Sequence, residues 1–235
     1  MNPKTKLKQV CLIWAFLYPS LAPLSAGENT ALYPGTDPWK IFNKPEMISL
    51  DVYSPRGDPR IMMFADAHVS AGIPLYKLRS VISDYGQYHR YFKRCSRSGI
   101  AALTEEGVFQ DLEMTVKLMG MSFTGHFVVF VRELSNSASS FSLGFTYTSE
   151  TGTIRRVYGE WRFERIDPAP SGARDSGASP GGLTYVRFTL SGATARKIPL
   201  QKTAMSLALG PEMISILEQL LAAASNLQGI QNPSF

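Results

Sequence analysis

The 235-residue chain has only two cysteines, Cys11 and Cys95, and three histidines, His68, His89 and His126. So few cysteines exclude a disulfide scaffold, and no pair of CxxC motifs is present to hold a structural zinc. The histidines are scattered without metal-ligand spacing, and there is no HExxH. No glycine-rich phosphate loop and no GxSxG elbow occurs, which excludes the motif-borne nucleotide enzymes and serine hydrolases. No uninterrupted apolar run beyond the N-terminus is long enough to cross a bilayer, so a multi-span membrane protein is excluded. The longest cationic cluster is the pair Arg155-Arg156, which is no footprint for nucleic acid.

The formal charge of +5 needs correcting for the N-terminus. Lys4, Lys6 and Lys8 precede an apolar stretch, Val10 to Leu24, interrupted by Pro19 and Pro23, and Ser25, Ala26 and Gly27 follow. A positive region, a short apolar region and small residues, in that order, are expected of a secretory signal peptide over residues 1–26. The stretch falls short of the roughly 20 residues that a spanning helix needs. Cutting after Ala26 or after Gly27 is equally compatible with the pattern, and an uncleaved N-terminal anchor is the rival reading. Either way the folded part is expected to be secreted or periplasmic. Removing the three lysines from 24 basic residues leaves 21 against 19 acidic ones, a near-neutral mature chain. Only Cys95 would remain, and a lone thiol without a partnered base reads as buried packing.

What is present is an ordinary globular composition, 44% hydrophobic and 18% charged, sufficient for one good core. A single domain over 27–235 is expected. Asp37 to Phe42 reads as a short capped helical turn. Ile48–Tyr53 and Ile61–Ser70 read as strands joined by a turn-rich link, Ser54-Pro55-Arg56-Gly57-Asp58-Pro59. Pro74 opens a helix with the stripe Leu75, Leu78, Val81 and Ile82, ending near Asp84. Tyr85 to Phe92 is an aromatic short helix or loop. From Ser96 to Gly192 the period is two, with runs at Val108–Leu118, Met121–Glu133, Ser140–Ser149, Ile154–Ile166 and Leu183–Ser191. Such alternation makes an antiparallel sheet with one wet face. Asp111 and Glu113 fall on the wet side of their run.

Residues 167–182, DPAPSGARDSGASPGG, hold too few apolar groups to pack and read as a flexible hairpin loop inside the domain. The chain ends in a long helix, with Met205, Leu209, Met213, Ile216, Leu217, Leu220 and Ala224 at three- and four-residue spacing. Gly210-Pro211 is expected to kink that helix or divide it, and to serve as a hinge for a lid.

The sheet's inner face is rich in Phe, Met and Trp, and the terminal helix offers a second apolar stripe. A curved sheet around one helix either fills with these side chains or leaves a space suited to an oily ligand. Residue patterning alone leaves both readings open.

The order of elements, hairpin, helix, antiparallel strands and long C-terminal helix, resembles the START-like helix-grip (SRPBCC) superfamily. The similar stretches are Trp39, the strand Ile48-Ser49-Leu50-Asp51-Val52-Tyr53, the basic turn Arg56-Gly57, Ala67-His68-Val69, and Val81-Ile82-Ser83-Asp84-Tyr85. Asp84, Tyr88 and Tyr91-Phe92 follow the family's spacing of Asp, Tyr and an aromatic position where Trp is common. The resemblance implies an α+β fold, a curved antiparallel sheet wrapped around a long C-terminal helix. It further implies a hydrophobic cavity between the two, used to bind or carry a lipid, a sterol or a similar molecule. No cofactor, metal or catalytic residue follows from it.

On this reading the ligand-binding residues are Phe123, Phe127, Phe145 and Trp161 of the sheet with Leu209 and Met213 of the helix. If the Met121–Glu133 strand takes the other register, His126 and Phe130 replace Phe123 and Phe127. A monomer is expected, with a hydrophobic small molecule as partner, transient membrane contact and no nucleic acid. Two rival functions remain: a cyclase- or dehydratase-like enzyme using His126, His68 or Tyr147 as acid or base, and an interaction module with a filled core.

Overall fold

The computed structural model describes residues 44–58, 60–118, 121–149, 154–166, 183–194 and 201–227. In chain order these form β1 (Glu46–Tyr53), β2 (Met62–Ala71), α1 (Leu75–Ile82), α2 (Tyr88–Tyr91), β3 (Cys95–Leu103), β4 (Val108–Leu118), β5 (Met121–Asn136), β6 (Ser140–Thr148), β7 (Ile154–Ile166), β8 (Leu183–Thr194) and α3 (Gln201–Asn226). The proposed signal segment, the Asp37–Phe42 turn and the 167–182 loop lie outside the described residues.

The strands build one curved eight-stranded sheet in the order β1-β2-β8-β7-β6-β5-β4-β3, with every neighbouring pair antiparallel. The turn between β1 and β2 explains its own residues. Pro55 accepts a hydrogen bond from the Asp58 amide, and Gly57 between them has φ +75°. That geometry favours glycine, because a Cβ is strained at positive φ.

β2 places Ala65, Ala67 and Val69 on the helix-facing side, all fully buried. Their small size lets α3 come close. α3 packs chiefly on β1, β2 and α1 and also touches α2 and β4. Among the described residues it approaches the backbones of β5 to β8 much less, and large side chains of those strands project into the interval. Leu78, Val81 and Ile82 of α1 meet Met213, Leu217, Leu220 and Ala224 of α3 in one core with Phe141, Phe163 and Val186.

The corner between α1 and β3 gives the aromatic motif a mechanical role. Tyr88 donates its hydroxyl to the carbonyl of Ile82 at 2.6 Å, and Tyr91 donates to the Asp84 carboxylate at 2.8 Å. Burial raises the Tyr88 phenol well above its ordinary pKa, and burial with the Asp84 bond takes Tyr91 to about 12. Both phenols therefore stay protonated donors at any physiological pH.

One expectation is corrected here. Gly210-Pro211 does not divide the helix: α3 runs unbroken from Gln201 to Asn226 with Pro211 inside it. The reason lies in what each residue faces. Gly210 is buried toward β1, where a Cβ would sit 3.5 Å from Leu50, so its bare backbone permits close packing. Pro211 is exposed, and the carbonyl it leaves without a helical donor belongs to Leu207, itself 70% exposed, so water can take that bond. Averaged over length, the Met205–Asn226 stretch of α3 is also apolar enough to cross a membrane, despite its interspersed Glu, Gln and Ser. Met213, Leu217, Leu220 and Ala224 of that stretch are buried against the sheet.

Candidate ligand site

Strand pairing decides which side chains face α3. Trp161 lies opposite Phe188, Gly159 opposite Leu190 and Val157 opposite Gly192. Across the next ladder Phe163, Trp161, Gly159 and Val157 meet Phe141, Leu143, Phe145 and Tyr147. On β4 and β5, Leu112 pairs with Phe127 and Gln110 with Val129. Residues directly opposed in an antiparallel ladder share a face, so these form one concave surface beneath the helix.

Burial along that surface is graded. Toward α1 and α2, Phe141, Leu143, Phe163, Val186 and Trp161 are closed off from solvent. Toward the opposite strand ends, Phe127, Phe145, Tyr147, Val157 and Leu190 are only half-buried, although they lie on the helix-facing side. Leu209 joins them from α3, packing on both the main core and a small cluster of Val52, Ile61 and Met63. The concavity thus has a sealed floor and an apolar end that still meets water.

The floor is aromatic and flat. Trp161 stacks on Phe188 and on Phe163, with ring planes inclined by 11° and 10°. Phe127 meets Tyr147 edge-on at 5.2 Å. Gly159 makes room for Phe145, because a Cβ there would stand 2.5 Å from the ring's Cζ.

Five of the six expected ligand residues can be placed. Phe127, Phe145, Trp161, Leu209 and Met213 all belong to one apolar cluster. Met213 is 1% exposed, so it forms floor and not lining. Phe123 pairs with Val116 in the β4–β5 ladder, and its side chain lies outside the described residues. The alternative register is overturned. His126 pairs with Glu113 and Phe130 with Phe109, on the face turned away from the helix.

The same register corrects the acid/base candidates. His126 is exposed and paired with Asp111 on the outer face, where Arg97 also bonds Asp111 at 3.3 Å. Glu113 on that face accepts a bond from the Ser96 hydroxyl at 2.6 Å. His68 lies on the outer face of β2, buried, 3.2 Å from the Tyr185 hydroxyl. Burial pushes its imidazole below the ordinary range. Of the three named groups only Tyr147 faces the helix, so no pair of titratable groups from that set converges in the concavity.

The outer face carries its own polar network. Asp66, 2% exposed, receives Arg187 through three bonds of 2.5 to 3.2 Å. Glu160, Arg162, Arg187 and Thr189 border a small cleft of about 50 Å³. Burial raises the Glu160 carboxyl. That cleft is polar and lies on the opposite side of the sheet from the oily concavity. Cys95 is free and buried, and burial raises its thiol, as expected of packing.

Two polar contacts beneath or beside the helix are not evident from the sequence pattern. Arg94, just before β3, pairs with Glu212 of α3, and the neighbouring Lys93 amide donates to Gln219 of α3 at 2.6 Å. Gln110, 1% exposed on the concave face, donates to the Tyr85 carbonyl at 3.0 Å. The period of two already put Gln110 on the face of Leu112; only its polarity hid it.

The sheet, the register and the enclosing C-terminal helix together define a START/SRPBCC-like helix-grip fold. No protein-family model matches the chain, and no curated protein matches its sequence. Solved structures do match in fold. Human StAR-related lipid transfer protein 5 aligns with a TM-score of 0.53 at 10% identity over 76% of this chain and 87% of its own. A STAR-related lipid transfer protein fragment from Xanthomonas axonopodis aligns at 0.52 with 9% identity, covering 75% and 98%. The Zhui aromatase/cyclase from Streptomyces sp. R1128 aligns at 0.51 with 15% identity, covering 70% and 94%.

Proposed function

We propose that this protein holds a lipid or another hydrophobic molecule between the concave sheet and α3, as a binding or transfer protein without catalysis. The observation that carries this reading is the burial gradient. Phe127, Phe145, Tyr147, Val157 and Leu190 face the helix yet keep access to solvent, an apolar opening that suits a hydrophobic ligand. The lipid-transfer proteins of the same fold support it. An alkyl chain entering there gains about 0.8 kcal/mol per methylene, so some ten buried groups reach micromolar affinity.

The pattern of Lys4, Lys6, Lys8 and Val10–Leu24 supports export, and the protein acts in this reading as a secreted or periplasmic monomer that touches membranes transiently. The cyclase-like alternative is weakened by the placement of His68 and His126 on the outer face. Native mass spectrometry of protein isolated from its own compartment, with solvent extraction of the bound fraction, tests the proposal. A reproducible apolar adduct is the expected result. Uniformly empty protein that also fails to take up added lipid would overturn it.

A further inference from the structure

Arg155 stands at the open end of the concavity. Beyond the Tyr147–Val157 pair the β6–β7 ladder continues to Ser149, whose amide donates to the Arg155 carbonyl at 2.9 Å. Ser149 and Arg155 are therefore opposed, two residues past Tyr147 and Val157 on their strands, and share the helix-facing side with them. On its other flank the β7–β8 ladder bulges between Ile154 and Arg156, which leaves Arg155 without a partner on β8. Such a bulge re-aims the side chain it carries.

The charge of Arg155 is not answered by a carboxylate. Arg97, Arg162 and Arg187 on the outer face each meet one. Arg155 meets none among the described residues, and its side-chain bond there is a long one, Nη1 to the Ser149 carbonyl at 3.4 Å. Glu160 and Glu164, the acids of its own strand, lie on the outer face. A half-buried guanidinium thus keeps a planar fork of donors at the rim of an apolar opening. That fork matches a carboxylate or a phosphate two bonds at a time. Tyr147, half-buried on the same face, brings a hydroxyl donor to the same rim.

We propose that Arg155, with Tyr147 beside it, holds the oxyanion head of an amphiphile, a carboxylate or a phosphate, at the mouth of the concavity while the alkyl chain lies along Val157, Phe145 and Leu190. The inference rests on the binding role proposed above and names the class of ligand. A head at the end that meets water keeps part of its hydration, and the chain takes the apolar face below it.

Displacement of the neutral dye Nile red from the full chain tests this, with dodecanoate, dodecyl phosphate, dodecan-1-ol and inorganic phosphate as competitors, each amphiphile below its micelle concentration. Dodecanoate, dodecyl phosphate or both should compete about tenfold more strongly than dodecan-1-ol, the effect of a hydrogen bond between charged groups. The comparison of the two decides which oxyanion the site takes. Inorganic phosphate, which has no chain, should leave the dye in place; its displacing the dye as well as dodecyl phosphate does would overturn an amphiphile as the ligand. Arg155→Gln should remove the oxyanion advantage and leave dodecan-1-ol unaffected. Should Arg155→Gln fold poorly, Arg155→Lys, which keeps the charge without the planar fork, should still narrow the advantage. Equal competition by dodecan-1-ol and both oxyanions in the native protein would overturn the inference while the binding role stands. An equal loss for all three amphiphiles in a folded variant would do the same. Failure of the native protein to take up the dye, or of every amphiphile to displace it, would instead overturn the binding role itself.

Discussion

Trp161 and Phe188 lie face to face on adjacent strands, ring centroids 4.0 Å apart, at directly opposed positions of the β7–β8 ladder. Both are almost wholly buried. This stack is the floor on which the concavity is built. Trp161→Ala would remove the larger ring from a packed site and is expected to cost about 3–5 kcal/mol in chemical denaturation. A loss below about 1 kcal/mol would mean that the floor does not carry the fold.

Gly159 tests the packing from the other side. A Cβ added there meets both the Phe145 ring and the backbone carbonyl of Thr189. Gly159→Ala should destabilise the protein by about 1–3 kcal/mol. Adding Phe145→Ala should not rescue it, because the carbonyl remains. Full rescue in a thermal melt would show that the ring alone was the obstacle.

The burial gradient predicts a split between stability and binding. Phe163 is fully buried, whereas Phe127 and Phe145 are half-buried at the open end. Phe163→Ala should lower stability by about 3–5 kcal/mol. Phe127→Ala and Phe145→Ala should cost much less, yet weaken uptake of a fluorescent lipid about tenfold, one aromatic face being worth about that much. Equal stability losses for all three would contradict an open apolar end.

His68 should make stability depend on pH in a defined direction. Burial lowers its pKa, Arg187 adds to that, and Glu46 and Asp66 oppose it. The folded state therefore prefers the neutral ring more than the unfolded chain does. Its contribution is complete above the unfolded value of about 6.5 and is lost as pH falls through the lower folded value. Glu160 and Glu212, both raised by burial, act with the opposite sign. The wild type should accordingly lose stability relative to His68→Gln as pH falls below about 7.5. Parallel stability curves for the two proteins would refute this.

Pro211 is the helix's one missing donor inside α3. Pro211→Ala should restore the bond to Leu207 and slow hydrogen exchange across the first half of the helix. Unchanged exchange there would show that this turn is no weak point and would remove the basis for a hinge.

Much of the architecture was legible beforehand because its cause is local. Alternation in Val108–Leu118 and Ile154–Ile166 places the two strands to the residue, and the sheet faces follow from it. Pro74 and the stripe after it locate α1, and the aromatic stretch beyond Asp84 locates α2. β5, apolar on both faces through its middle, left its register open, since either face was chemically admissible. Pairing with β4 settled it, putting Phe127 under the helix and His126 in solvent. The unbroken helix at Gly210-Pro211 ran against expectation, because local propensity counts the missing hydrogen bond but not the β1 surface that Gly210 meets.

By itself the chain's order of apolar and polar residues determined the elements, their sequence and the greasy character of one sheet face, since each depends on neighbours within a few positions. Only the tertiary structure decided which end of that face stays open, which histidines are turned away from it, and that Arg94 meets Glu212. Those are relations between residues far apart along the chain, set by how strands pair and where α3 comes to rest.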